Sequence, residues 1–115
     1  MDFSNNKPIY QQITDYCYSR IMAGTWVCDG RIPSVKELSV EMTVNNRTVL
    51  KAYDDLQADG IIYQKRGLGY FVSSDAHKRI LTRQRNEFLS TTVPELKRQM
   101  QLLGITPEQL LAHLK

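Results

Sequence analysis

Two helix-start signals lie close together in the middle of this chain, and they constrain its fold more than any other feature. The first is Ser34-Val35-Lys36-Glu37, a capping box in which the serine hydroxyl can accept from the glutamate amide while the glutamate reaches back to the serine amide. The second is the pair Asn45-Asn46, either of which can cap a helix. We therefore expect one helix to about Glu41, a short turn, and a second helix that ends at Gly60.

A hairpin should follow the second helix. Residues 61–64 and 70–72 have the β-branched and aromatic side chains typical of strands, and residues 65–69, Lys-Arg-Gly-Leu-Gly, have the composition of a turn. The two glycines flank Leu68 and permit positive φ there. Two short helices followed by a hairpin with a basic tip are typical of a winged helix-turn-helix.

Helical patterns extend to either side of this motif. Residues 1–7 are polar and are predicted to be loose, and Pro8 can open a helix that ends near Gly24. A helical pattern resumes at Asp75. Pro94 should kink or end this helix, because proline disfavours helical backbone at the residue before it.

The sequence thus predicts an α+β fold in two parts. Residues 1–74 form a winged helix-turn-helix of three helices plus a β-hairpin wing, and residues 75–115 form a short all-α tail. A capping signature at residues 106–109 starts the last helix of that tail. The tail carries leucines at helical spacing that it cannot bury alone, whereas a C2 dimer would bury them. We therefore expect dimerisation through the C-terminal helices.

Apolar residues at helical spacing give the predicted core. The first helix contributes Ile9, Ile13, Tyr16, Cys17 and Ile21; the second Val35, Leu38 and Met42; the third Val49, Ala52, Tyr53 and Leu56; and the tail Ile80, Leu81, Phe88, Leu89, Leu96, Met100 and Leu103. With 42% hydrophobic residues among 115, the chain can pack one domain with a short appendage.

Several classes of protein are excluded by composition. No apolar run approaches the roughly 20 residues of a membrane span, and the first ten residues contain no secretory signal, so we expect a cytoplasmic protein. Cys17 and Cys28 do not form a C-x-x-C pair, and His77 and His113 are isolated, so no metal or other cofactor is predicted. The sequence shows neither a nucleophile with a matching base nor a pair of carboxylates, so we do not expect an enzyme.

The charge of +3 is unevenly distributed. Residues 1–75 hold eight Lys/Arg against nine Asp/Glu, and residues 76–115 hold seven against three. The N-terminal part can therefore bind DNA only if its cations lie together on one face, with the acidic residues turned away.

The leading end of the second motif helix has the residues that read base edges. Its buried face leaves Asn46, Arg47, Leu50 and Lys51 exposed. Arginine pairs bidentately with guanine, asparagine with adenine, and an apolar tip meets a thymine methyl. Lys51 and the Thr48 hydroxyl are placed for phosphate. The alternative is that all are ordinary solvated surface residues.

Two further elements offer phosphate or groove contacts. The start of the first motif helix, with Ser34 and Lys36, forms an anion site of the kind found at helix N-termini. In the predicted wing, Lys65 and Arg66 supply charge, while Gly67 and Gly69 allow the backbone to approach a narrow minor groove. The alternative is an ordinary hairpin turn without a role in DNA binding, which would also need glycine at these positions.

The order of these segments resembles the DNA-binding domain of the GntR family of bacterial transcription regulators. The matching segments are P-I-Y-Q-Q-I from Pro8, P-S-V-K-E-L from Pro33, V-N-N-R-T-V-L-K-A-Y-D-D-L from Val44, D-G-I-I-Y from Asp59 and R-G-L-G-Y-F-V from Arg66. They cover over half of the chain in order, and the short helical tail resembles that of the YtrA-like branch.

The resemblance implies a homodimer that binds an inverted repeat, and members of this branch often repress operons for membrane transporters. The DNA contacts it carries over are Ser34, Lys36, Asn46, Arg47, Thr48, Lys51, Gly67 and Gly69. Lys36 and Asn46 stand where the family often has arginine, Leu50 replaces a frequent basic residue, and Cys28-Asp29-Gly30 replaces the usual P-G-D turn. These departures bear on base preference rather than on the fold.

We therefore expect a sequence-specific regulator of transcription that binds double-stranded DNA as a homodimeric repressor. The helix starting near Asn45 would enter the major groove, with the wing near the minor groove. The alternative is a winged-helix protein-interaction module without DNA binding; it needs an apolar recognition face, which only Leu50 favours. The tail is too short for a ligand domain, so a small-molecule effector would have to bind between subunits or against the DNA-binding domain.

Overall fold

Six α-helices and one two-stranded hairpin make up residues 7–115, the part of the chain that the computed structural model describes. In chain order they are α1 (Ile9–Met22), α2 (Val35–Met42), α3 (Asn46–Ala58), β1 (Ile62–Lys65), β2 (Gly69–Val72), α4 (Ala76–Glu87), α5 (Val93–Leu103) and α6 (Pro107–Leu114). A π-helical turn, Phe88–Thr92, joins α4 to α5. The predicted fold class is confirmed. Of the segment predicted to be loose, residues 1–6 lie outside the described part.

The chain divides into two compact units, the first ending at Ile80 and the second running from Leu81 to Lys115. Ala76 and Ile80 on α4 are both buried in the hydrophobic core of the first unit. That unit therefore contains the winged helix-turn-helix together with the opening turns of α4, and the second unit contains the rest of the tail.

Both predicted capping signals start their helices. The Ser34 hydroxyl accepts from the Glu37 amide at 3.0 Å, and the Glu37 carboxylate accepts from the Ser34 amide at 2.9 Å. Of the two candidate asparagines at the next helix, Asn45 is the cap, accepting from the Arg47 amide at 2.8 Å. Between the helices, Thr43 takes a left-handed conformation with φ of 57°, which turns the chain sharply from α2 into α3.

The wing hairpin is antiparallel, with Ile62 opposite Val72 at one end and Lys65 opposite Gly69 at the other. Lys65 thus belongs to β1 and not to the tip where the sequence placed it. Residues 30–32 add a short third segment beside β2: the Ile32 amide donates to the Tyr70 carbonyl at 2.9 Å, and Arg31 pairs with Phe71. This pairing was not predicted from the sequence.

The core of the first unit is largely the predicted one. Its buried members from the predicted set are Ile13, Cys17, Ile21, Leu38, Met42, Val49, Ala52, Tyr53, Leu56 and Ile80. Ile9 is a correction, since it is 46% exposed at the first turn of α1. Tyr16 and Val35 are only half-buried against the core. Positions at helix ends lie at the margin of the contact between helices, which explains why spacing alone overstates the burial of Ile9.

The tail accommodates Pro94 in a way that the sequence did not predict. Thr92 and Val93 keep helical dihedrals, so the helical path continues into the proline without ending. The interruption instead lies just before it, in the π-helical turn Phe88–Thr92. A wider turn moves the carbonyls of the preceding turn away from the proline ring, and the missing proline N–H then costs little. At its other end, α5 closes on Gly104, whose φ is 66°.

Most apolar side chains of the tail are exposed in the single chain, contrary to their predicted role as packing contacts. Among the residues predicted to be buried, Leu81, Phe88, Leu89 and Leu103 are 40%, 54%, 65% and 72% exposed. Within the described part of the single chain, no other element covers these apolar side chains. The spacing therefore predicted an apolar helix face but not whether that face is buried. No helix in residues 7–115 combines the length and apolar character that crossing a membrane requires.

Tyr53 offers a direct test of this packing. Its fully buried side chain donates a hydrogen bond to the Pro33 carbonyl at 2.7 Å. Replacing Tyr53 with Phe should lower the free energy of unfolding by about 1–3 kcal/mol, because that carbonyl loses its partner. Urea denaturation measures the change. The matched control is Tyr63→Phe, whose hydroxyl bonds Asp29 at the surface; equal losses in the two variants would contradict the assigned role of Tyr53.

Candidate nucleic-acid interface

The helix-turn-helix presents a polar surface at the leading end of α3. Val49, Ala52, Tyr53 and Leu56 are buried on one face of this helix, as predicted. Asn46, Arg47, Leu50 and Lys51 are exposed on the other side, and Thr48 is half-buried. The structure therefore brings together, on one turn and a half of helix, the residues that the sequence predicted for contact with bases or phosphates.

Asn46 is held by the preceding helix. Its side-chain amide forms a short hydrogen bond with the Ser39 hydroxyl on α2, and that hydroxyl also lies 2.8 Å from the Lys36 carbonyl. Ser39 is buried, so its hydroxyl needs these partners. One polar atom of Asn46 is thus engaged within the protein. The Asn46 residue is otherwise exposed, and its contact with Ser39 was not predicted from the sequence.

Lys51 is also positioned by a neighbour. Its ammonium nitrogen lies 4.5 Å from the centre of the Tyr10 ring, a cation–π contact between α3 and the start of α1. The contact leaves Lys51 exposed. It restricts a flexible side chain of α3 toward the start of α1.

The start of α2 carries mixed charge. Lys36 is exposed there, but the Ser34 and Glu37 amides are already engaged in the capping box. Hydrogen bonds from the Ser34 amide and hydroxyl, assisted by Arg31, hold the pKa of the Glu37 carboxyl below its usual value. Glu37 is therefore ionised at neutral pH, and Lys36 is the cation that an approaching phosphate would meet at this helix end.

The wing ends in a basic, glycine-flanked tip. Arg66 is exposed, and Gly67 has φ of 76° with open space around its α-carbon. Leu68 is 62% exposed between the two glycines. The Lys65 ammonium lies instead over the Phe71 ring, 4.8 Å from its centre, on a face of the hairpin. Arg66 is thus the cation at the very tip, and Lys65 is held on the strand beside it.

Arg31 is a component of this surface that the sequence analysis missed. Its guanidinium donates from Nε to the Leu68 carbonyl at 3.3 Å and from Nη2 to the Glu37 carboxylate at 3.4 Å. It also covers Gly69, where an added Cβ would lie 3.1 Å from Nε. Gly69 has φ of 109°, so both backbone conformation and this close approach favour glycine. The only signal in the sequence was the position of Arg31 just before the capping box.

The requirements of a metal site can also be compared with this surface. Within residues 7–115, no group of three or more His, Cys, Asp and Glu side chains is placed to hold a metal ion. Burial strongly raises the pKa of the Cys17 thiol, which keeps it protonated and unreactive. Cys28 is exposed and is a free thiol.

Known proteins with this sequence pattern are regulators. The profile of the family described as "Bacterial regulatory proteins, gntR family" matches residues 9–72. The chain is 30% identical over 110 residues to the HTH-type transcriptional repressor YtrA of Bacillus subtilis (strain 168). The matched region covers 96% of this chain and 84% of YtrA.

Solved structures of gntR-family regulators are also similar to this chain. A crystal structure of a GntR-family transcriptional regulator from Bacteroides thetaiotaomicron matches with a TM-score of 0.78 and 38% identity over 91% of each chain. The DNA-binding domain of AraR, in complex with operator ORR3, matches with a TM-score of 0.58 and 32% identity over 64% of this chain and 88% of that one. The second similarity is to a structure that contains DNA.

The helix start beneath this surface can be tested apart from any ligand. Replacing Asn45 with Ala should lower the free energy of unfolding by about 1 kcal/mol, because the Arg47 amide loses its acceptor. Chemical denaturation measures the difference. Asn45→Ser keeps an acceptor at the cap and should stay close to the parent protein. Similar losses for serine and alanine would show that the cap does not act through its hydrogen bond.

Proposed function

The chain belongs to the gntR family of bacterial regulatory proteins, and we propose that it is a homodimeric repressor that binds an inverted repeat in double-stranded DNA. The observation that carries this proposal is the surface on α3, where Asn46, Arg47 and Lys51 are exposed together while the opposite face is buried. A helix with one packed face and a polar leading end is what the major groove admits.

In this proposal, α3 makes the contacts to bases. Arg47 is exposed, and its side chain can reach the O6 and N7 atoms of a guanine in the bidentate manner that suits a guanidinium. The Oδ1 atom of Asn46 accepts from Ser39, which leaves the Nδ2 group to donate to an acceptor such as N7 of adenine. Leu50, 42% exposed one turn further on, is placed for a thymine methyl.

The remaining predicted residues are assigned to the DNA backbone and the minor groove. Ser34 and Lys36 at the start of α2 would meet one phosphate, and Thr48 and Lys51 on α3 another. The wing would approach the minor groove through Arg66, with Gly67 and Gly69 allowing close approach of its backbone. Contacts of this kind give affinity that falls as salt concentration rises.

Dimerisation is assigned to the tail. Its helices α4 to α6 leave large apolar side chains exposed, among them Leu102, Leu103 and Leu114 at 70% or more. Exposed apolar residues so close together are typical of an interface between subunits. Residues 1–74 would then be the DNA-binding domain and residues 75–115 the dimerisation region, with two copies of α3 facing two half-sites.

Three further assignments follow from the relatives. Repression is proposed because YtrA of Bacillus subtilis, similar over almost the whole chain, is named a repressor. A regulator that acts on bacterial DNA works in the cytoplasm. Any small-molecule effector would bind between subunits or against the DNA-binding domain.

Selection from random duplexes tests the proposal as a whole. The full chain is mixed with a pool of random double-stranded DNA at two salt concentrations, and the bound fraction is sequenced. An enriched inverted repeat, bound more weakly at the higher salt concentration, is the expected result. A single unrepeated motif would contradict the dimer, and the absence of any enrichment would favour a protein-interaction module.

Arg47 provides the sharpest test of base contact. Replacing Arg47 with Ala should weaken binding to the selected duplex by about 1–3 kcal/mol and relax the preference at one base position, because the bidentate contact is lost. Titration at fixed salt, repeated on duplexes changed at each position, measures both effects. Arg20→Ala, which removes an equal charge from α1, is the control. An Arg47 variant with the parental affinity and preference would contradict the role of Arg47 in base recognition.

The tail interface can be tested without truncation. Replacing Phe88 and Leu89 with Glu should weaken the dimer by roughly 3 kcal/mol or more, because each apolar side chain contributes about 1.5–3 kcal/mol on full burial. Sedimentation measures the monomer fraction, and circular dichroism checks that the helices remain. The control is Val27→Glu, an apolar residue that is 59% exposed in the first unit. A tail variant that stays dimeric would show that the interface lies elsewhere.

A further inference from the structure

A continuous chain of contacts joins the wing tip to the start of α2. The Leu68 carbonyl accepts from Arg31 Nε at 3.3 Å, Arg31 Nη2 donates to Glu37 at 3.4 Å, and Glu37 accepts from the Ser34 amide at 2.9 Å. Each end of this chain belongs to an element that the proposed function places on DNA. Arg31 is the only one of the four residues whose side chain contacts both elements.

The backbone beside Arg31 supports the base of the wing but not its tip. The Ile32 amide bonds the Tyr70 carbonyl, and the Val72 amide bonds the Gly30 carbonyl, both on the part of β2 beyond Gly69. Past that point, the tip has a turn bond of its own from the Leu68 amide to the Lys65 carbonyl at 2.9 Å. The contacts of the Arg31 side chain are therefore what ties the wing tip to the helical part of the fold.

Two properties of the site suit an arginine in this role. The planar guanidinium offers several donors in fixed directions, so it can serve a carbonyl and a carboxylate at once, which a lysine ammonium on a flexible chain does poorly. Gly69 lets it pass close over β2, since a side chain there would meet Nε at 3.1 Å. The capping box holds Glu37 in place from the other side, so its carboxylate is a fixed anchor.

We propose that Arg31 is a positioning residue that holds the wing tip at a set distance from the start of α2, and so fixes the spacing between the minor-groove and phosphate contacts. The DNA part of this inference rests on the proposed function. The mechanical part, a wing ordered by Arg31, does not. Arg31 acts here through Leu68 and Glu37 and not by touching DNA itself.

The first experiment needs no DNA. Backbone amide relaxation is measured by NMR at Leu68 and Gly69 in the parent chain, Arg31→Ala and Arg31→Lys. With Arg31 present we expect the order parameter of a rigid backbone, about 0.85, and in both variants a fall toward about 0.6 or below. The Arg31 side chain is about half exposed and its ion pair is a surface one, so both variants should fold. Unchanged order at the wing tip in both variants would overturn the proposal.

The second experiment separates positioning from direct contact. Binding of each variant to one fixed mixed-sequence duplex is titrated over a range of salt concentrations, with Arg20→Ala as the control for lost charge. Positioning predicts that Arg31→Ala and Arg31→Lys both bind roughly 2- to 10-fold more weakly, because the wing must be ordered on binding, with the salt slope unchanged. A slope reduced by about 1 in the alanine variant and restored by lysine would show that Arg31 binds phosphate, and would overturn the proposal.

The two experiments also distinguish this inference from the function on which it rests. A disordered wing in the variants, combined with no binding of DNA by the parent chain, would leave the structural role of Arg31 intact and contradict the proposed function. If the parent chain binds DNA and the wing is equally ordered in every variant, the role of Arg31 is contradicted and the proposed function is not.

Discussion

One buried side chain, Tyr53, connects the three elements on which the rest of the structure depends. It lies on α3, and its hydroxyl donates to the Pro33 carbonyl just before α2. Its ring packs edge-on against the Tyr70 ring of the wing, with 4.9 Å between the two ring centres. Burial raises the pKa of this phenol, so it remains a donor at every physiological pH. Within the core of the first unit, Tyr53 therefore contacts both the segment that leads into α2 and the wing.

In the first unit, several polar side chains that the sequence predicted to be solvated make contacts with neighbouring residues. Ser39 orients Asn46, the Tyr10 ring lies under Lys51, and Lys65 lies over Phe71. A side chain that is already restricted loses less conformational entropy on binding, so such contacts favour a surface ready to meet its partner. Among the predicted contact residues, Lys36, Arg47 and Arg66 are the exposed cations for which the described part of the chain shows no such neighbour.

The elements of the fold could be predicted from the sequence because their signals are local. The capping box at Ser34, the cap at Asn45 and the spacing of buried residues on α3 each depend on a few consecutive residues. The contacts of Arg31 could not be predicted, since they join residues 37 positions apart through a side chain whose direction depends on the finished fold. The exposure of Leu89 escaped prediction for another reason: periodicity identifies an apolar face but not what covers it.

The π-helical turn Phe88–Thr92 also separates two properties that a regular helix would couple. In an α-helix of 3.6 residues per turn, inserting or deleting one residue rotates everything beyond it by about 100°. A turn that already departs from this periodicity can lose a residue and become α-helical. Such a deletion would remove the extra residue of the turn while the chain still completes about one revolution, so the apolar face of α5 would keep its direction about the helix axis. The number of residues before α5 can therefore change by one at this turn without changing the direction of the apolar face that follows.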